Sequence, residues 1–313
     1  MIVLKIQWPN ETWHTIRSET HHPKFLKGLN LLTRLKTDDI EHIKSSLDIY
    51  DRQLKQRTGR TLLGTACHAA GVDEDAIIER TQGYAIHVVP ITGGLGIISD
   101  FSETVSGILD YLGFNAAVAP ATDVTGVAHA FESGAHAVMM ADDHRFVAID
   151  LYTRQVVDNS EATGRVFAAA LELMADESQQ TNALILGCGP VGEAAARYLR
   201  TMDYSLCLYD IRPEPARALK ERLEKEIPDR PIRIETDLAY ALTQTPLVIE
   251  ATPAAEAIPD HLITDHLRVS APGVPLGVTP NGELRLKDRL VHDKLELGVA
   301  AMAVSLLANS TSR

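Results

Sequence analysis

The residues best placed to do chemistry lie in the middle of this chain: Gly187, Gly189 and Gly192, with Pro190 and Val191 among them and Asp210 further on. The apolar run Ala183 to Leu186 reads as a buried strand, and Val191 to Leu199 reads as the helix that follows the glycine turn. Gly187 permits the tight turn, Gly189 lets the backbone approach a pyrophosphate at the helix N-terminus, and Gly192 lets helix and strand pack closely. A second apolar strand, Leu206 to Tyr209, ends at Asp210, where a carboxylate accepts hydrogen bonds from a ribose diol. The pattern predicts dinucleotide binding. A carboxylate at 210 repels a 2′-phosphate, so NAD is expected over NADP; Arg212, two residues on, keeps a phosphate-binding reading open.

A second glycine loop runs from Pro90 to Asp100 and contains Gly93, Gly94, Gly96 and Ile97. It joins a buried strand to a helix, Phe101 to Leu112, with Asp100 as cap and Glu103 at the capping-box position. Its N–H groups and the helix N-terminus offer an anion site, for instance for an amino-acid carboxylate; the alternative is a tight turn and nothing more. Asp142 and Asp143 follow the apolar strand Ala137 to Ala141, and side chains just past such strand ends line the ligand crevice of open α/β sheets. Adjacent residues on a strand diverge, so one of the two enters the site, unless both serve the turn. Thr252 with Pro253, and Pro272 with Gly273, also end strands, either beneath a nicotinamide ring or as simple turns. The nearest histidines, His129, His136 and His144, show no ligand spacing, so no metal is expected.

These groups need elements to carry them. From Thr37, read as an N-cap, apolar residues recur at Ile40, Ile43, Leu47, Tyr50 and Leu54 on one helix face ending near Gly59. The basic residues Arg52, Lys55, Arg57 and Arg60 close that stretch, and Asp38, Asp39 and Glu41 open it, so both ends complement the helix dipole. Strands are expected at Ala85–Ile91, Ala116–Ala119, Phe146–Leu151, Ile232–Glu235, Leu247–Ala251 and Val269–Ala271, and helices at Val124–Ser133, Thr163–Ala175, Pro213–Glu226 and Leu297–Leu307. This alternation predicts an α/β protein: a C-terminal Rossmann dinucleotide-binding domain with a smaller N-terminal α/β substrate domain. The expected boundaries are an extension over 1–33, a substrate domain over 34–158 and a Rossmann domain with closing helix over 159–313. A net charge of −12 argues against a nucleic-acid surface. Three cysteines without a CxxC pair suggest neither disulfides nor zinc, and the chain lacks an apolar run long enough for a membrane span. A cytoplasmic protein is expected.

Several stretches together resemble the family of pyrrolysine biosynthesis dehydrogenases, PylD or 3-methylornithyl-lysine dehydrogenase. They are Gly96-Ile97-Ile98 with Phe101-Ser102-Glu103, Tyr111-Leu112-Gly113-Phe114, Asp123-Val124-Thr125-Gly126 and Met140-Ala141-Asp142-Asp143. The fingerprint, Glu250-Ala251-Thr252-Pro253, Pro272-Gly273 with Pro275, and Gly298-Val299-Ala300-Ala301-Met302 continue the likeness. The resemblance spans roughly residues 34 to 307 and leaves the first 33 without a counterpart. It implies a homodimer that uses NAD to oxidise the terminal amine of 3-methylornithyl-lysine, after which ammonia is lost and a pyrroline ring closes. It also implies that Asp142 is the aspartate that contacts substrate, with a base or an anchoring role, that Gly93 to Asp100 form a substrate loop, and that Leu35 covers the pocket. The family carries serines at the positions of Gly93 and Asp100, so contacts there differ in this chain. Two other classes compete: a different NAD-dependent amino-acid or amine dehydrogenase, and an NAD-sensing module without catalysis.

Overall fold

In the computed structural model, residues 35–94, 97–175, 181–228 and 230–309 are described; the expected extension over 1–33 and Gly96 lie outside them. The described residues lie in one compact unit. The described chain opens with four helices, α1 (Thr37–Ile40), α2 (Ile43–Thr58), α3 (Leu62–Ala70) and α4 (Glu74–Thr81). An alternating run follows: β1 (Ala85–Val88), α5 (Phe101–Tyr111), β2 (Asn115–Val118), α6 (Asp123–Glu132), β3 (Ala137–Ala141), β4 (Phe146–Asp150) and β5 (Val156–Asp158). Their sheet has the order β2-β1-β3-β4-β5. The first three strands are parallel because helices cross over between them, whereas β4 and β5 return through short turns and therefore pair antiparallel.

Helix α7 (Asn159–Met174) leads into β6 (Asn182–Leu186), α8 (Pro190–Thr201), β7 (Ser205–Tyr209), α9 (Pro213–Glu226), β8 (Arg233–Ile234), α10 (Leu238–Gln244) and β9 (Leu247–Glu250). The chain closes with β10 (Arg268–Ala271), α11 (Pro280–Leu286), β11 (Leu290–His292) and α12 (Glu296–Asn309). The second sheet is β11-β10-β9-β6-β7-β8, parallel throughout. Counted from β6, this is the doubly wound Rossmann order, and the chain reverses direction across the sheet between β6 and β9, where such folds open a ligand crevice. Helices α3, α7 and α12 pack on one another in the main core.

Two local expectations differ. The helix predicted from Thr37 to Gly59 is two helices: Lys36, not Thr37, occupies the N-cap of α1, where its N–H donates to the Asp39 carboxylate at 2.8 Å. Helix α2 starts afresh after His42, whose carbonyl accepts from both Ser45 and Ser46 hydroxyls, and stops at Gly59 with φ 76°. Asp100 does precede α5, but its side chain makes no capping bond. Capping uses an extended N-cap backbone, whereas Asp100 has φ 63°.

Candidate active site

Each fingerprint glycine has its own reason to lack a side chain. A Cβ on Gly187, whose φ is 95°, would stand 2.6 Å from the Ala251 carbonyl oxygen, and one on Gly192 would stand 2.0 Å from the Gly187 oxygen. Gly189 differs: nothing lies within 4 Å of the position its Cβ would take. It heads α8 without a side-chain cap, so the first-turn N–H groups stay available to an anion, and Pro190 behind it has no N–H to satisfy. At the end of β7, Asp210 Oδ2 accepts from the Cys188 N–H and Oδ1 from the Arg212 N–H, both at 3.0 Å. The carboxylate is thereby fastened to the glycine loop with lone pairs to spare. Arg212 stands exposed at the N-cap of α9. Burial, with Asp210 nearby, pushes the Cys188 thiol up to about 12, so it stays protonated.

Glu250 organises the loops beyond β9 and β10. Wholly buried, its Oε1 accepts from the Thr252 N–H at 2.9 Å and hydroxyl at 2.5 Å, and its Oε2 from the Gly277 N–H at 3.2 Å. Glycine is required around it: a Cβ on Gly273 would lie 2.5 Å from the Thr252 oxygen, and one on Gly277 would lie 2.3 Å from Glu250 Cδ. Thr252, Pro253, Pro272 and Gly273 therefore belong to two loops tied through one acid. Burial pushes the Glu250 carboxyl up to about 7. Sequence reasoning places these loops but misses the acid that ties them. Its signal is a carboxylate ending a fully buried apolar strand, Leu247-Val248-Ile249.

In the first sheet, Asp123 braces the second glycine loop. Its carboxylate accepts from the Thr92 N–H at 2.8 Å and the Thr92 hydroxyl at 2.5 Å, and its own N–H donates to the Pro90 oxygen at 2.9 Å. Those Thr92 bonds hold its pKa below the usual range. Gly94, with φ 68°, lies against the β3–β4 turn, where a Cβ would stand 2.0 Å from Asp143 Oδ2. Asp142 is exposed and its Oδ1 accepts from the His144 and Arg145 N–H groups, both at 2.8 Å. These bonds lower its pKa and keep it ionised. The neighbouring carboxylates thus diverge: Asp143 meets the glycine loop, and Asp142 caps its own turn. Gly93, Ile97 and Asp100 are exposed along the loop. Leu35 packs half-buried against the core just before α1, which touches α5, the helix that the loop leads into.

Both sheets send their chemistry to the start of α7. Arg145, from the turn that carries Asp142, donates twice to Asp158 Oδ2, at 3.0 and 2.9 Å, and Asp158 caps α7. One turn on, a Cβ on Gly164 would lie 2.3 Å from the Val191 oxygen in the first turn of α8. On α12, a Cβ on Gly298 would lie 2.7 Å from Thr163 Oγ1. The dinucleotide cradle, the acidic turn and the start of α12 are thereby held around one helix end.

Residues 39–157 match the family described as "Pyrrolysine biosynthesis protein PylD, N-terminal domain". A protein of Methanosarcina acetivorans named "Pyrrolysine synthase" is 29% identical over 275 residues, 87% of this chain and 99% of its own length. Its namesake in Methanosarcina barkeri is 28% identical, over 87% of this chain and 97% of its own. The chain is thus similar to PylD over its N-terminal domain and to pyrrolysine synthases over most of its length. Among solved structures, quinate dehydrogenase from Corynebacterium glutamicum in complex with NAD aligns with a TM-score of 0.51 at 15% identity, covering 72% of this chain and 93% of that one. A shikimate dehydrogenase in complex with NADP+ aligns with the same TM-score, 0.51, at 14% identity over 73% and 90% of the two chains. These likenesses show the Rossmann-type α/β fold expected from sequence. Among the described residues no helix is long and apolar enough to cross a membrane, and no group of three or more His, Cys, Asp or Glu is placed to hold a metal ion.

Proposed function

We propose that this chain is an NAD-dependent dehydrogenase of pyrrolysine biosynthesis that oxidises the terminal amine of 3-methylornithyl-lysine. The observation that carries the reading is the convergence on the α7 N-terminus of an open, uncapped Gly189 cradle and an acidic strand-end turn. Residues 34–158 then serve as the substrate half and 159–313 as the dinucleotide half of a cytoplasmic homodimer. Gly187, Gly189, Pro190, Val191 and Gly192 would hold the pyrophosphate and Asp210 the ribose; Thr252, Pro253, Pro272 and Gly273 would flank the nicotinamide, which when bound supplies the hydride acceptor.

The substrate amine is a cation in water and has no lone pair until it loses a proton. It must therefore give up that proton, to a base or to water, before its C–H bond breaks. Asp142, held ionised by two backbone N–H groups, is suited to the anchoring role, because an acid with a lowered pKa is a good counter-ion and a weak base. Hydrolysis of the resulting imine releases ammonia, and the semialdehyde closes on the α-amine with loss of water. The glycine loop over Gly93, Gly94, Ile97 and Asp100 offers its N–H groups to a substrate carboxylate. Purified protein incubated with NAD and the dipeptide tests the reading by mass spectrometry. The expected product is lighter than the substrate by one ammonia and two hydrogens. Equal turnover of lysine or ornithine would indicate a different amine dehydrogenase, and NADH binding without any turnover would indicate a sensor.

A further inference from the structure

The chain turns from β11 into α12 with two acids pointing inward. Asp293, immediately past the strand end, is 7% exposed, and Glu296, at the first residue of the helix, is 6% exposed. Tyr50 of α2 donates its hydroxyl to Asp293 Oδ2 at 2.5 Å, and the Leu297 N–H donates to Oδ1 at 3.3 Å. The Leu295 N–H donates to Glu296 Oε2 at 3.1 Å, and the two carboxyls hydrogen-bond each other, which requires one proton on the pair. Burial first, and repulsion between the acids second, raise the Asp293 pKa; burial raises that of Glu296.

No ion pair among the described residues reaches either acid. Lys294, the lysine of this region, gives its ammonium to Asp39 of α1 at 2.7 Å. His292 is held neutral by burial and sits 2.8 Å from the Ala271 oxygen through Nδ1. Asp38, Asp39 and His42 are the other charged or titratable groups that line the space, two of them acids, and Arg57 of α2 acts on the Tyr50 hydroxyl without forming an ion pair with either carboxyl. That space is a cavity of about 280 Å³ between the start of α2 and the β11–α12 junction. It is too small for a whole dipeptide and ample for one ammonium-bearing end of it. Its position also fits: β11 pairs with β10 through Ala271 and His292, so Asp293 lies level with Pro272, among the loops that flank the dinucleotide.

We propose that this cavity is the subsite for an ammonium group of the substrate other than the terminal amine held by Asp142, gripped by Asp293 and Glu296 with the Tyr50 oxygen as a third acceptor. The assignment rests on the reading of the chain as an amine dehydrogenase. Two carboxyls buried together cannot both ionise unless a cation joins them, so the pair by itself keeps one proton. An arriving ammonium brings the missing positive charge and three N–H donors for three oxygens. The proton then leaves to solvent: protonated pair plus alkylammonium gives alkylammonium held by two carboxylates plus one proton. A pair that only fastened α12 would have no reason to face a cavity, and apolar packing would serve that purpose as well or better.

Calorimetry on the full chain at about pH 7.5, with 1,5-diaminopentane as probe in two buffers of different ionisation enthalpy, reads the binding and the proton together. The expected result is binding with release of about one proton per site, and no binding of the uncharged 1,5-pentanediol. Glu296→Gln should weaken the diamine about tenfold or more and abolish the proton release. Diamine binding without proton release, no diamine binding, or an unchanged Glu296→Gln would each overturn the proposal. If Glu296→Gln does not fold, the buffer dependence of the unmodified protein decides alone. The two readings fail separately: diamine binding with proton release but no dipeptide oxidation would sink the proposed function and keep the subsite. Normal dipeptide turnover by Glu296→Gln would do the reverse.

Discussion

Replacing Glu250 by glutamine changes one atom in the acid that ties the loops after β9 and β10. The amide oxygen still accepts from Thr252, but the amide nitrogen meets the Gly277 N–H, donor against donor. Leaving that buried N–H without an acceptor costs about 1–3 kcal/mol. The wild-type side chain carries a cost of its own that grows with pH. Its folded-state pKa is about 7, above the ordinary value of 4.5, so the unfolded chain ionises first as pH rises. The stability from its protonated form is complete below the unfolded pKa and is lost as pH climbs through the folded one. Linkage over that difference gives a loss of about 2.5 kcal/mol between about pH 5 and pH 8. Glutamine does not titrate. Glu250→Gln should thus be clearly less stable than wild type at about pH 5, and the gap should close or reverse by about pH 8. Urea denaturation of both proteins at the two pH values measures this, and every other titrating group cancels in the difference. A stability gap that stays constant to within about 0.5 kcal/mol would refute the account, since the linkage effect is several times larger.

Asp210→Ala should weaken NAD binding by about 1.5–3 kcal/mol and narrow its preference over NADP, read by titration with each dinucleotide; NADP binding to the unmodified protein as tight as NAD would remove Asp210 from this role. Gly94→Ala puts a methyl where Asp143 Oδ2 stands and strains a backbone at φ 68°, so substrate affinity should fall while NAD affinity holds; equal loss of both in separate calorimetric titrations would point to misfolding instead. Asp142→Asn keeps the oxygen that caps the turn but loses the charge, so turnover efficiency should drop about ten- to a hundredfold through KM. Recovery of the lost activity at high pH would mean that Asp142 takes the proton after all.

What the sequence could reveal depended on whether a residue's reason for being there was local. The fingerprint glycines are fixed by contacts within one strand-loop-helix unit, and the periodic helices by one apolar face, so both could be read by spacing alone. The divergence of Asp142 from Asp143 followed from strand geometry; which of them would meet the glycine loop did not, because it depends on the return of β3 beside β1. Helix α3 escaped notice because it is buried on nearly every side, which erases the periodic signal that betrays a surface helix.

The acids were hardest to read, for a physical reason. In sequence, His292-Asp293-Lys294-Leu295-Glu296 looks like a solvated, charged entry to a helix, and Asp293 and Glu296 flank a lysine close enough along the chain to neutralise them. Only the folded chain takes that lysine away to Asp39 and lays Tyr50, more than two hundred residues earlier, against Asp293. Glu250 is similar: its partners Thr252 and Gly277 identify it, and one of them comes from beyond the next strand. A carboxyl becomes chemically unusual when other parts of the chain exclude water from it, and that exclusion has no period or motif. Among the described residues, folding raises the carboxyls of Asp293, which faces a cavity and bonds Tyr50 of α2, and of Glu250, which joins two loops, because parts of the chain outside their own elements exclude water from them.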